Sequence, residues 1–342
     1  MSSVTVAEYI WLDANKKFRS KVRTIHHENF ITSQFPDWDY DGSSTGQADG
    51  NSSEITIHPV FICDNPLSNF CDNKYVYSKL VLCETLNVDG TPTNSNTRAR
   101  AHEIFSLPIC ENVKPWFGLE QEYFITDNTP GAGVGVGAAL SPMEETSEHY
   151  CGVGRGVVYR NIVEEHMAAC IKARINISGM NAEVSQNQWE FQIGPSVGIK
   201  ASDELLMARF ILERIAEKYG KVICYDPKPF ANINGSGCHT NFSTSVMRSD
   251  GGIKEIHRVI QNMENSHADN IKLYGANNEK RLSGKNETSD YKRFTWGIGN
   301  RGVSVRINNR THSSGCGYFE DRRPAANMDP YMVTSAIMTN VI

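Results

Sequence analysis

The sequence predicts a two-domain α+β protein, with a small β-rich domain over residues 1–88 and a larger domain of mixed α and β over residues 89–342. Three observations carry that expectation. The chain has 342 residues, whereas a single domain usually holds about 150, so two hydrophobic cores are expected. Short alternating runs separated by polar and Gly-rich stretches fill the first part, and the texture then changes to mixed α and β. Between the two lies Asp89-Gly-Thr-Pro-Thr-Asn-Ser-Asn-Thr97, which has little to bury and plenty of turn chemistry, the composition of a linker.

In chain order, Glu54-Ile-Thr-Ile-His58 and Leu80-Val-Leu-Cys83 read as strands of the first domain, with Asp41-Gly-Ser-Ser-Thr-Gly46 as a turn-rich stretch between elements. In the second domain Phe117-Gly-Leu-Glu-Gln-Glu-Tyr-Phe-Ile125 reads as a strand that points Glu120 and Glu122 to one face and Leu119, Gln121 and Tyr123 to the other. Ile162, Val163, Met167, Cys170 and Ile171 recur at helical spacing. A second helix follows Ser202 and Asp203 as N-cap candidates, carries Leu206, Phe210 and Ile215, and ends at Gly220. Both helices are expected to pack rather than react. Gln188-Trp-Glu-Phe-Gln-Ile193 alternates Trp189, Phe191 and Ile193 against Glu190 and Gln192, with Glu183 just before it. Val303-Ser-Val-Arg-Ile-Asn308 sets Arg306 opposite Val303, Val305 and Ile307.

Composition excludes several classes. The net charge is −5 and the hydrophobic fraction 39%, with a pI near 6.1, so no nucleic-acid partner is indicated. The opening MSSVTVAEYIW has neither a basic n-region with an apolar core nor an Arg-rich transit pattern, and no 18 apolar residues run together. The expectation is a cytoplasmic protein with no membrane partner. Nine scattered cysteines without a C-x-x-C pair read as reduced thiols. Six N-x-[ST] triplets would matter only in a secreted chain.

The chemistry lies in the carboxylates. Two of them about 4 Å apart repel by roughly 1 kcal/mol in water and about 4 kcal/mol at an effective dielectric near 20, so a cation between them is the economical resolution. Oxygen-rich donors suit Mg²⁺ or Mn²⁺, and one imidazole among them, such as His239 in Asn234-Gly-Ser-Gly-Cys-His-Thr-Asn241, does not change that. The 281–323 stretch carries seven Arg and two Lys against four acids; Arg281, Arg301, Arg306 and Arg322 offer guanidinium forks for phosphate or carboxylate. Carboxylates for metals and arginines for anions together suggest metal-assisted phosphoryl transfer. No G-x-x-x-x-G-K-[ST] is present, and Gly133-Val-Gly-Val-Gly-Ala138 reads as a loop, with no strong strand before it and no capped helix after it.

At these residues the chain resembles the eukaryotic-type (type II) glutamine synthetases, from Tyr9 nearly to the end. The resembling segments include Phe35-Pro-Asp-Trp-Asp-Tyr-Asp-Gly-Ser-Ser-Thr45, Trp116-Phe-Gly-Leu-Glu-Gln-Glu-Tyr123 and Asn181-Ala-Glu-Val184. Gln188-Trp-Glu-Phe-Gln-Ile-Gly-Pro195, Asn234-Gly-Ser-Gly-Cys-His-Thr-Asn-Phe-Ser243 and Gly317-Tyr-Phe-Glu-Asp-Arg-Arg-Pro324 complete the set. The resemblance implies an N-terminal β-grasp domain, a larger α/β catalytic domain, and a decamer of two pentameric rings with active sites between subunits. It implies ATP-dependent ligation of ammonia to the γ-carboxylate of L-glutamate through γ-glutamyl phosphate, with Mg²⁺ or Mn²⁺, two or three per site, and partners L-glutamate, ammonium and ATP.

Position by position, the resemblance assigns Glu122, Glu183 and Glu190 to one metal and Glu120, His239 and Glu320 to a second. It gives Arg301, Arg306 and Arg322 to the phosphoryl charge, and Arg281 and Arg322, with the backbone at Asn234 and Gly235, to glutamate. Trp116, Pro195, Asn241, Ser243 and Tyr318 fall to the nucleotide. Asp41 of a neighbouring subunit and Glu287 on a flap become the proton acceptors for ammonium. The chain departs from the pattern at Asn286, where the family commonly has His, with Lys285 before it. Pro130–Glu148 and Asn308–Cys316 also read idiosyncratically. Two rivals follow: a non-catalytic relative, which would have lost acids this chain keeps, and a ligase taking an amine larger than ammonia, against which Asp41 and Glu287 argue.

Overall fold

Strand alternation builds the first sheet outward from an interior strand. Ser3–Leu12 (β1) is buried on both faces along its second half, as a strand flanked on both sides should be. It pairs antiparallel with Phe18–His27 (β2) and parallel with Val76–Leu86 (β5). Glu54–Asp64 (β4) and Trp38–Asp41 (β3) extend the sheet in the order β2-β1-β5-β4-β3. Ala7, Tyr9 and Trp11, two residues apart, pack with Ile57, Val81 and Cys83 into one core, the period of two that a strand imposes.

The computed structural model describes residues 3–27, 35–69, 75–127, 148–154, 156–231, 233–285 and 287–342. The Gly133–Ala138 tract, Asn286, Cys71 and nearly all of Pro130–Glu148 lie outside the described residues. The chain divides into two compact units, residues 1–102 with 169–175, and residues 103–168 with 176–342.

After Thr97–Phe105 (α1) and Pro108–Val113 (α2), the second unit is organised on Trp116–Asp127 (β6). Arg160–Lys172 (α3), Ile177–Ala182 (β7), Gln188–Val197 (β8), Lys200–Lys218 (α4), Lys221–Cys224 (β9) and Cys238–Ser243 (β10) follow. Then come Ile253–Asn265 (α5), His267–Asn270 (α6), Trp296–Ile298 (β11), Val305–Ile307 (β12), Asn309–Ser314 (α7), Phe319–Asp321 (β13) and Pro330–Thr339 (α8). Eight strands form one sheet, ordered β11-β12-β13-β10-β6-β8-β7, with β9 paired to the far end of β6.

The second expected helix starts earlier than its supposed cap. α4 begins at Lys200, and Ser202 and Asp203 lie inside it, buried. The Ser202 hydroxyl donates to the Pro330 carbonyl at 3.2 Å, and the Tyr331 hydroxyl donates to Asp203 Oδ1 at 2.5 Å. These two polar residues dock α8 onto α4 instead of capping a helix, a tertiary use that overrides their local preference for the N-cap. Among the described residues no helix is long and apolar enough to cross a membrane, and no disulfide joins the eight described cysteines.

Candidate active site

Sheet register brings the acids together. In the β6–β10 ladder Glu120 stands opposite His239; in β6–β8, Glu122 stands opposite Glu190 and Glu120 opposite Gln192. Across β10, β13 and β12, Asn241 pairs with Glu320 and Glu320 with Arg306. Because side chains alternate, these partners share one face of the sheet.

That face opens on a cleft of about 780 Å³. All six expected metal-binding residues line it, as do Arg281, Arg301, Arg306, Arg322, Asn234, Gly235 and Glu287. A second cavity of about 570 Å³ is lined by Trp116, Pro195, Asn241, Ser243 and Tyr318. Glu120 and Gln192 belong to the walls of both. Of the expected site residues, Asp41 alone lies in the first unit. It ends β3, and its carboxylate accepts from the Ser43 backbone at 3.0 Å, the Ser43 hydroxyl at 2.7 Å and the Ser44 hydroxyl at 2.6 Å. Those hydroxyl donors hold its pKa down at about 2, so it is ionised at any neutral pH.

Glu120, His239 and Glu320 offer ligand atoms within 4.8 Å of one another. His239 Nδ1 is 3.5 Å from Glu120 and from Glu320, and 4.0 Å from Glu122. Burial, reinforced by Arg322, holds this imidazole neutral, the form in which it ligates metals. Glu320 receives Arg322 Nη1 at 2.6 Å, while Arg306 Nε approaches its other oxygen at 2.7 Å without hydrogen-bond alignment. Burial and mutual repulsion raise the carboxyls of Glu183 and Glu190 well above the ordinary range, and burial chiefly raises Glu122, despite the Gly237 N–H on its Oε2 at 2.9 Å. A buried Glu320 oxygen without an aligned donor, a neutral imidazole and uncompensated carboxylates are a donor set that a hard divalent cation fits.

Arg281 is buried, its Nη2 donating to the carbonyls of Arg322, Arg323 and Pro324 at 3.0, 2.8 and 2.9 Å. Gly235 lies so close to it that a Cβ would collide with Arg281 Cγ and with the Pro227 carbonyl. Glu287 sits on an exposed turn at a left-handed φ of 57°, and its carboxylate receives Arg301 Nη1 at 3.2 Å.

The structure adds residues that sequence reasoning did not place at the site. Gln192 and Asn181 line the acidic cleft, and the alternation that exposed Glu190 already carried the signal for Gln192. Tyr150 also lines that cleft, from a stretch that shows no strand or helix periodicity. Arg248 lies 3.9 Å over the Trp116 ring, held by the Ser243 carbonyl and hydroxyl and by the Lys114 carbonyl. Nothing in its local sequence marked it.

Comparison with known proteins follows the same lines. The family described as "Glutamine synthetase, catalytic domain" matches residues 95–342. A glutamine synthetase cytosolic isozyme of Daucus carota is 46% identical over 339 residues, covering 98% of this chain and 94% of the relative. A putative glutamine synthetase of Acanthamoeba polyphaga mimivirus is 46% identical over 345 residues, covering 99% and 95%. The cryo-EM structure of Plasmodium falciparum glutamine synthetase shares the fold, with a TM-score of 0.75 at 16% identity over 99% of this chain and 71% of that one.

Proposed function

The chain belongs to the glutamine synthetase family, of the eukaryotic type, and on that premise we propose the part that each residue of the cleft plays. The reaction is the ATP-dependent ligation of ammonia to the γ-carboxylate of L-glutamate through γ-glutamyl phosphate, giving L-glutamine, ADP and phosphate. One observation carries the assignment: the apolar cavity and the acidic cleft meet at Glu120 and Gln192. A nucleotide whose base lies in the first then delivers its terminal phosphate into the second.

In this reading Trp116, Pro195 and Tyr318 flank the base, and Asn241 and Ser243 give it polar contacts. Glu122, Glu183 and Glu190 hold one Mg²⁺ or Mn²⁺, and Glu120, His239 and Glu320 a second, with two or three ions per site. Bound there, such ions neutralise the phosphates of ATP and the repulsion among the acids. Arg281 and Arg322, with the backbone at Asn234 and Gly235, seat glutamate so that its γ-carboxylate faces the γ-phosphate. Arg301, Arg306 and Arg322 hold the charge that develops during transfer. The acyl phosphate turns a poor leaving oxygen into phosphate. Ammonium is not nucleophilic until it loses a proton, which Asp41 of an adjacent subunit and Glu287 accept before ammonia attacks the acyl carbon. Closing the segment that carries Glu287 shields the acyl phosphate from water.

We divide the chain at 88/89, after β5 and ahead of the family match that begins at residue 95, and read the first domain as a β-grasp on its mixed five-stranded sheet. We place the protein in the cytoplasm on the strength of its cytosolic relatives, as a decamer of two pentameric rings with sites between subunits.

The test is glutamine formation by purified protein with glutamate, ATP and Mg²⁺, with ammonium in one reaction and small amines in others. Ammonium-dependent glutamine that disappears in Glu287→Ala and Glu190→Ala is the expected result. Turnover only with another amine moves the reading to a different ligase, and none from assembled, metal-loaded protein moves it to a non-catalytic relative.

A further inference from the structure

Glu183, just after β7, and Glu190, on β8, carry like charges into the same cleft, and their spacing needs a restraint other than charge. Asn181 and Gln192 supply one. The Gln192 amide nitrogen donates one hydrogen to Glu190 Oε1 and the other to Asn181 Oδ1, the latter at 2.8 Å; Asn181 Nδ2 donates in turn to Glu183 Oε1 at 3.0 Å. In the ionised form that holds a cation the two carboxylates only accept, so in that state both amides have one workable orientation: turning either over would set an amide oxygen against a carboxylate. The chain therefore runs from Gln192 outward, ends on a carboxylate at each side, and takes one oxygen of each. Gly179, opposite Gln192 in the β7–β8 ladder, makes room for it, because a Cβ there would overlap Gln192 Oε1.

We propose that the Gln192–Asn181 amide pair is the positioning device that sets the spacing of Glu183 and Glu190 for a divalent cation. Affinity for the ion at that end of the cleft, and not the phosphoryl chemistry itself, depends on it. The inference rests on the metal assignment proposed above, in which Glu122, Glu183 and Glu190 form one site.

The test is Mn²⁺ binding to the assembled, metal-free enzyme, followed by the electron paramagnetic resonance of free Mn²⁺. Gly179→Ala is the most telling variant, since it adds one methyl group, removes no polar group of the cleft and acts by pushing Gln192 aside. Gln192→Met keeps the size and removes both donated bonds. Each should weaken one class of Mn²⁺ sites ten- to a hundredfold and leave the other class unchanged. The melting temperature of the metal-free protein should hold, and saturating Mn²⁺ should restore kcat in Gly179→Ala, which a general structural defect would not allow. Wild-type isotherms in both variants, or equal weakening of both classes, would overturn the proposal. Wild-type binding that vanishes in Glu190→Ala but survives in Gly179→Ala and Gln192→Met rejects the amide pair alone. Absence of any Mn²⁺ class sensitive to Glu190→Ala rejects the metal assignment, and this inference with it.

Discussion

Glu320 concentrates the physics of the cleft in one side chain. It is buried, takes Arg322 on one oxygen and has Arg306 against the other, and faces His239. Glu320→Ala leaves two guanidiniums converging without a counter-charge, so about 3 kcal/mol of stability should go with it, as when one member of a buried pair is removed. Glu320→Gln keeps the shape and one acceptor. It should recover part of the melting temperature but little of the activity, because a neutral amide is a poor ligand for a hard cation. Equal melting of the alanine variant and the wild type would show that the arginines find other partners. Burial, with repulsion from neighbouring acids, raises the carboxyls of Glu122, Glu183 and Glu190, so added Mn²⁺, which favours their ionised form, should stabilise the folded protein. At a hundred times its Kd one bound ion contributes about 2.7 kcal/mol. Thermal melting with and without a chelator measures this, and Glu190→Ala should blunt the gain.

Elements explain why some of the cleft was legible in the sequence and some was not. A period of two put Glu120 with Glu122 and Glu190 with Gln192 on common faces, and the strands β6 and β8 carry them there. Which strand lies beside which is a long-range matter: nothing local said that β10 would set His239 against Glu120, or β13 bring Glu320 to Arg306. Those partners were legible only through the ordered motifs of a known family. Ser202 and Asp203 misled for the converse reason, since their local signal for a cap was overridden by packing against α8. The interface of α3 with α4 and β8 carries its own pH dependence. His166 is buried on the Phe191 ring with Nε2 3.0 Å from the Ala208 carbonyl, and burial holds its pKa down at about 4, against 6.5 ordinarily. The unfolded chain binds that proton more readily, so the stability contributed by a neutral His166 is complete above pH 6.5 and lost as the pH falls toward 4, about 3 kcal/mol in all. Melting temperatures across that window should fall less steeply in His166→Phe than in the wild type. Identical slopes would assign the acid sensitivity to other groups.

At the scale of the whole molecule the charges are segregated. An acidic chain keeps a basic stretch over residues 281–323, and four of its arginines, Arg281, Arg301, Arg306 and Arg322, line the cleft beside the acids. Asp41, in contrast, belongs to the first unit, ionised and held by its own serines. The role proposed for it, taking the proton of ammonium in a neighbour's site, came only through the resemblance, because alternation within one chain says nothing about a residue contributed by another. The assignment makes a quantitative prediction about assembly. If each site takes Glu287 from one subunit and Asp41 from its neighbour, Asp41→Ala and Glu287→Ala proteins are each inactive alone. When the two are co-expressed in equal amounts and mix at random within rings, a site is intact only where an Asp41→Ala subunit supplies Glu287 and a Glu287→Ala subunit supplies Asp41. That arrangement arises at about one interface in four, so the mixed oligomer should show about a quarter of wild-type glutamine formation. Sites built within a single chain would give none, since every chain in the mixture then lacks one of the two carboxylates. Activity near a quarter, measured on oligomers separated from unmixed rings by differently tagged subunits, therefore supports the shared site, and its absence places Asp41 and Glu287 of one active site on the same chain.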